Sequence, residues 1–305
     1  MSKKILAVYF TQSGQLEDII DHFTRPLNSF PDSAVEKLRI YPAKPFPFPW
    51  SSAAFFEAMP ESVDGVPVEL EPLAFKEPQY DLIIIGYQPW FLSPSIPASS
   101  LLQHPSFKAL LKNTPVITIS GCRNMWINAQ EKVKKRLSEA GAKLVGNIAL
   151  VDQHNNYASL VTIFYWMLTG KKDRKWGVFP KPGVSDGDIA HSAVFGETVK
   201  LHLQKNEWSG LQTRLLEQHA VNIKYSLMFI ERKAGRIFSI WSKIINKSKK
   251  RSTLLVAFKY YLLIALCIAA PVILLVDAIF FKPFLGKRIK KQKEYYAGVT
   301  LKQLL

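Results

Sequence analysis

Apolar and polar positions alternate in two distinct patterns over the first 150 residues. Near-continuous apolar runs occupy residues 3–10, 34–40, 80–86, 115–120 and 144–150, among them YDLIIIGY, PVITIS and KLVGNIAL. Runs of this kind suit parallel strands covered on both faces. Between them, apolar residues recur every three or four positions. Leu16, Ile19, Ile20 and Phe23 mark a helix over 14–24 that stops before Pro26. Ala129, Val133, Leu137 and Ala140 mark another over 127–140, with Gly141 as its C-terminal cap. Helices over 51–59 and 101–112 complete the series, and the Pro-rich stretch 42–78 reads as an elaborated crossover. Five strands joined by helical crossovers predict an α/β fold with a five-stranded, doubly wound parallel sheet.

The alternation stops after residue 150. ASLVTIFYWMLTG predicts a buried helix closed by Gly170, and residues 188–205 and 210–221 predict two more, with Ser185 or Asp186 as a cap. Over 225–247, Ile230, Ala234, Ile237, Trp241 and Ile244 recur at helical spacing against Arg232, Lys233, Arg236 and Lys243. That is a basic amphipathic helix of interfacial type. Residues 260–281 then hold one charge, Asp277, and Pro271 near the middle, a length sufficient to cross a bilayer. Three parts follow: 1–157 as the sheet domain, 158–221 as a helical addition that can line a substrate groove, and 222–305 as a membrane anchor.

Charge sharpens the picture of the anchor. The whole chain carries +16, yet residues 222–305 alone hold 17 Lys/Arg against Glu231, Asp277 and Glu294, a net of +14. A near-neutral body with a basic tail predicts a polyanionic partner. Here the cations bracket apolar sequence and are not interleaved with aromatics, so an anionic membrane surface is expected and nucleic acid is not. Basic clusters on both sides of residues 260–281 argue against a single span, which would carry one cluster outside. A re-entrant hairpin bent at Pro271 is the preferred expectation, with both clusters on the cytoplasmic face of the cell membrane. No signal peptide is read at the N-terminus. The two cysteines, Cys122 and Cys267, predict no disulfide framework, and the six histidines show no metal-ligand spacing.

Candidate chemistry lies in the loops that leave the strand ends, where open α/β sheets hold ligands. Thr11, Gln12, Ser13, Gly14, Gln15 and Leu16 form a hydroxyl-rich turn between a strand and a helix start, suited to phosphate; a plain helix cap is the alternative. The second loop includes Pro89, Trp90, Phe91 and Leu92, and the third includes Gly121, Cys122, Arg123 and Asn124. A flat aromatic ring with a phosphate tail suits this set. G-x-G-x-x-G is absent, and the second strand ends without an acid for a ribose, which disfavours a dinucleotide. His154 is a candidate proton acceptor oriented by Asp152, or part of a polar loop without chemistry. Arg123 is a candidate for an enolate oxygen, or a surface ion pair. PFPFPW reads first as a rigid crossover and second as a wall for an alkyl tail.

FTQSGQL, GYQPWFLSPSIPASSLL and SGCRNMWINAQEKVKKRLSEAGAKLVG resemble the three cofactor loops of the flavodoxin superfamily, over residues 3–157. The resemblance implies a flavodoxin-like fold and FMN as cofactor: Thr11 to Leu16 at the phosphate, Trp90, Phe91 and Leu92 along the ring, Gly121 to Asn124 at its polar edge. With the PFPFPW segment, DQHNNYASL and the basic apolar C-terminus, the chain also resembles bacterial dialkylresorcinol condensing enzymes of flexirubin and aryl-polyene pigment pathways. That likeness implies an FMN-dependent aromatase converting a 2,5-dialkylcyclohexane-1,3-dione to a 2,5-dialkylresorcinol. It also implies a lipid-like substrate, a ketosynthase pathway partner and a homo-oligomer as options. An FMN-dependent NAD(P)H:quinone reductase, a non-enzymatic electron carrier and a scaffold with an empty flavin fold remain alternatives.

Overall fold

The computed structural model describes residues 2–29 and 31–301. Its centre is a five-stranded sheet of β1 (Lys3–Tyr9), β2 (Ser33–Arg39), β3 (Leu82–Tyr87), β4 (Pro115–Cys122) and β5 (Lys143–Val151), ordered β2-β1-β3-β4-β5. Every pairing is parallel. This is the flavodoxin-like order, and its switch point lies between β1 and β3. Side chains alternate faces along each strand. Ile5, Ala7, Tyr9, Leu82 and Ile84 enter one core, and Leu6, Val8, Ile83, Ile85 and Tyr87 enter the other.

The first core is closed by α1 (Gln15–Asn28), α8 (Asp186–Lys205) and α9 (Leu211–Glu217). The second is closed by α4 (Ile96–Gln103), α5 (Pro105–Leu111) and α6 (Ile127–Glu139). Helix α1 does not stop before Pro26: it runs two residues past it. Proline in the last turn costs only the hydrogen bond to His22, and buried Pro26 packs beside α8 at Gly196. The helix expected over 101–112 is two helices, because Pro105 holds His104 extended. It also begins earlier, at Ile96, where Ser99 and Ser100 hydroxyls bond back to the carbonyls of Pro94 and Ile96. The helix expected over 51–59 is likewise two, α2 (Ser52–Glu57) and α3 (Met59–Asp64), since Pro60 has no N–H for the carbonyl of Phe56. Helix α9 ends at Glu217, short of 221, where the chain turns through His219 at a φ of 64°.

Helix α7 (Asn156–Thr169) is not the buried helix its composition predicts. Only Ser159, Thr162 and Trp166 are buried, while its larger apolar side chains face a cleft. Helix α10 (Tyr225–Lys247) leads into a continuous helix from Arg251 to Phe284, long and apolar enough to cross a membrane and almost wholly unburied in its most apolar stretch. It comprises α11 (Arg251–Ile264), a π-helical turn at Ala265–Ala269, α12 (Ala270–Val276) and a second π-helical turn at Asp277–Phe281. There is no hairpin at Pro271. The proline cannot donate to Cys267, and the π turn beside it absorbs the mismatch, with the Ala270 N–H donating to the carbonyl of Ala265. The chain reverses only after Phe284, and α13 (Gly286–Ala297) returns to the body.

Candidate functional site

At the carboxyl ends of β1, β3 and β4 the chain encloses a cavity of about 310 Å³. The first wall is the turn before α1. Gly14 takes a φ of 86°, and its N–H donates to Thr11 Oγ1 at 3.0 Å. The Gln12 N–H donates to Gln88 Oε1, which ties this turn to the second loop. The Gln15 amide exchanges two 3.1 Å hydrogen bonds with the backbone of Val184. Gln12, Ser13 and Gln15 line the cavity. Thr11 and Gly14 shape the turn from behind, and Leu16 is fully buried in the core under it. The N–H groups of Gln15, Leu16 and Glu17 head the helix, where an anion is favoured.

The second wall is a short hairpin in which Pro89–Trp90 pairs with Ser93–Pro94. Phe91 and Leu92 form its apex with φ of 46° and 60°. Two-residue hairpins of this twist need positive φ at both positions, which normally selects Asn and Gly. Bulky apolar residues there cost of order 1–3 kcal/mol each, strain of the kind that collects at ligand sites. Phe91 packs on Phe55 with ring centroids 4.7 Å apart, and Trp90 meets Phe10, Phe46 and Trp50 edge-on. The Pro-rich crossover therefore does more than stiffen the chain: Phe48 and Trp50 line the cavity, and the Gln12 amide donates to the carbonyls of Phe46 and Pro47.

The third wall is Gly121, Cys122, Arg123 and Asn124. Arg123 is not a surface ion pair. Its Nε donates to Ser159 Oγ at 2.9 Å, and its Nη2 donates to the carbonyl and side-chain oxygens of Asn156. Burial lowers its pKa to about 10, against the opposing charge of Asp152, so it stays cationic at neutral pH. Burial and the nearby Glu231 carboxylate push the Cys122 thiol far up, which keeps it protonated. The Asp152 N–H donates to the carbonyls of Cys122 and Arg123, and Asp152 Oδ1 accepts from the His154 N–H and lies 2.6 Å from its Nδ1. Asp152 and His154 form a pair behind this loop, and neither lines the cavity.

The roof comes from helices beyond the sheet. Ile163, Phe164 and Met167 of α7, Ile230, Ala234 and Phe238 of α10, and Leu262, Ala265, Leu266 and Ala270 of the long helix make the far end apolar. Loop positions alone do not reveal these residues, because each lies in an element whose docking is decided by distant contacts. Glu231 is one such contact. The lone acid of α10, it accepts the Asn128 N–H at 2.8 Å and so binds α10 to the start of α6. Burial raises its pKa from 4.5 to about 7, partly offset by backbone N–H groups of Asn128, Ile127 and Trp126. Raised in the folded state, this group favours folding most below pH 4.5, and that advantage fades as pH climbs to 7. Thermal unfolding is expected to show stability falling across that window by up to about 3 kcal/mol, with Glu231→Gln flattening the fall. An unchanged slope in the variant would exclude Glu231 as its source.

No protein-family model and no curated protein matches the chain. Among solved structures, it is similar to a flavoprotein in complex with FMN from Lactobacillus acidophilus, at 17% identity over 48% of this chain and 93% of that one, with a TM-score of 0.38. Flavodoxin 1 from Bacillus cereus is 14% identical over 67% of this chain and 98% of that one, with a TM-score of 0.33. A flavone reductase is 10% identical over 67% and 64%, with a TM-score of 0.36.

Proposed function

We propose that this chain is a membrane-associated, FMN-dependent oxidoreductase that aromatises a 2,5-dialkylcyclohexane-1,3-dione to a 2,5-dialkylresorcinol. One observation carries the reading. A single cavity joins a polar, helix-headed end at Gln12, Ser13 and Gln15 to an apolar end roofed by α7, α10 and the long helix. That form suits a phosphate-bearing cofactor at one end and a greasy ring substrate at the other. The residues present fit the cofactor: the head of α1 for the phosphate, Trp90, Phe91 and Leu92 for the ring, and Gly121 to Asn124 for its polar edge. Bound FMN supplies a two-electron acceptor.

The protein's own part is placement and charge. Arg123, held in place through Ser159 and Asn156, stabilises a developing enolate oxygen of the dione. Asp152 positions that loop through its backbone N–H and pairs with His154 behind it. Phe55, Phe164 and Phe238 take the alkyl chains, excluding water from the ring.

The purified protein is expected to show the visible absorption of a flavin, or to acquire it with added FMN. Incubation with a 2,5-dialkylcyclohexane-1,3-dione is then expected to yield resorcinol with bleaching of that absorption under anaerobic conditions. A flavin-loaded protein that makes no resorcinol and rapidly reduces a lipid quinone with NAD(P)H would transfer the assignment to a quinone reductase. Absence of any flavin uptake would remove the redox reading altogether.

A further inference from the structure

The long helix is tied to the body at both ends. Near its start, Arg251 forms an ion pair with Glu61 at 2.7 Å, and Lys259 Nζ donates to Ser52 Oγ. Near its end, the Tyr225 hydroxyl donates to the buried carboxylate of Asp277 at 3.2 Å. Between these ties Phe258 is buried, while Leu262, Leu266 and Ala270 line the cavity. One face thus follows the body for some 27 residues, about 40 Å at 1.5 Å per residue. The opposite face exposes Val256, Tyr260, Ile264, Ile268, Leu275 and Ile279 in an unbroken apolar row. Beyond it, α13 comes back to the body, where Tyr295 donates to Glu131 and the Gln212 amide donates to the carbonyl of Ala297.

A helix that crossed a bilayer would have to leave the body at one end. This one is tied to the body at Arg251 and again at Asp277, and cations flank it at both ends. At its far end α10 and α13 enclose a second groove, lined by Arg232, Lys233, Arg236 and Arg288 together with Phe229 and Ile289. Lys233 lies over the Phe229 ring. Among the described residues, none of these four cations has a carboxylate within 4 Å. Asp277 faces Tyr225, and Glu231 faces α6. Leu285, directly after the apolar helix, forms part of the groove wall, so the cations stand at the helix's rim.

We propose that the Arg251–Phe284 helix lies in the plane of an anionic leaflet without crossing it, and that the α10–α13 groove takes a phospholipid phosphate head group. The apolar row occupies the acyl boundary, and the unpaired guanidinium groups supply the charge-assisted hydrogen bonds that a phosphate needs. The inference rests on the membrane part of the proposed function alone and is independent of the flavin chemistry.

The test uses the full chain with sealed vesicles of phosphatidylglycerol and phosphatidylcholine, and with phosphatidylcholine alone. Strong flotation with the anionic vesicles is expected, weakened on the order of 100-fold in the triple variant Arg232→Gln, Arg236→Gln, Arg288→Gln. FMN content, measured on the same samples, reports folding and separates this result from the redox reading. In a Cys122→Ser background, exposed Cys267 is expected to lose reaction with a water-soluble maleimide when vesicles are added. A Lys290→Cys variant, built with Cys267→Ser, is expected to keep reacting. Equal flotation of wild type and triple variant overturns the head-group site. So does stabilisation of the wild type alone by inorganic phosphate while both proteins float equally. Protection of position 290 by vesicles to which the protein was added from outside overturns the in-plane seating.

Discussion

Gly196→Ala is expected to cost about 3 kcal/mol or more of folding stability, read as a shift of the urea midpoint at unchanged slope. The reason is a contact between backbones. A Cβ at residue 196 would stand 2.1 Å from the carbonyl oxygen of Phe23 and 3.2 Å from Pro26 Cδ. Neither can turn aside, since both belong to α1. The two helices would have to part by more than 1 Å, opening the core formed by Ile19, Ile20 and Phe23 against Phe195 and Val199. An exposed position elsewhere on α8 offers the control: Val194→Ala, at a residue 40% exposed, should change stability by no more than about 0.5 kcal/mol. Because α1 begins at the candidate phosphate turn, flavin content should fall with the helix packing. A Gly196→Ala protein as stable as the parent would refute the packing of α8 on α1.

Gly14→Val should abolish most flavin binding, with affinity at least about 100-fold weaker, while the protein stays folded. The turn holds Gly14 at a φ of 86°, where a β-branched residue is strained by roughly 1–2 kcal/mol. A Cβ there would meet nothing within 4 Å, so backbone conformation and not crowding is what the substitution disturbs. Relaxing it breaks the hydrogen bond from the Gly14 N–H to Thr11 and turns the N–H groups at the head of α1 away from one another. Asn tolerates this conformation, so Gly14→Asn should retain binding within about tenfold. Titration of each apoprotein with FMN, followed by flavin fluorescence, checks both. Equal losses in the Val and Asn variants would discard the conformational argument and leave a requirement for the missing side chain.

The same two glycines mark how far local pattern reaches. Gly14 is legible in the sequence because strand, hydroxyl-rich turn and helix are neighbours along the chain, and their hydrogen bonds are local. Five apolar runs determine five parallel strands for a similar reason: a strand buried on both faces needs continuous apolar sequence. The positions of the three loops at the strand ends, and the gathering of +14 in residues 222–305, were equally available from sequence.

Gly196, Gly183 and Glu231 were not. Each answers to a partner far along the chain: Phe23, Gln15 with Trp166, and Asn128. Periodicity records which face of a helix is apolar, not which other face it meets. Composition alone could not separate a helix that crosses a membrane from one that runs beside the body. The tertiary structure adds what composition lacks, contacts that tie this helix to the body through Arg251, Asp277 and the returning α13. It carried the helix straight through Pro271 because a π turn accommodates the missing N–H. It also placed His154 behind the third loop and Arg123 on the cavity wall. Sequence determined the sheet, its loops and the charge of the tail, since these follow from short-range burial and composition. The roof of the cavity and the course of the apolar helix were decided only by long-range docking, where single buried contacts outweigh local propensity.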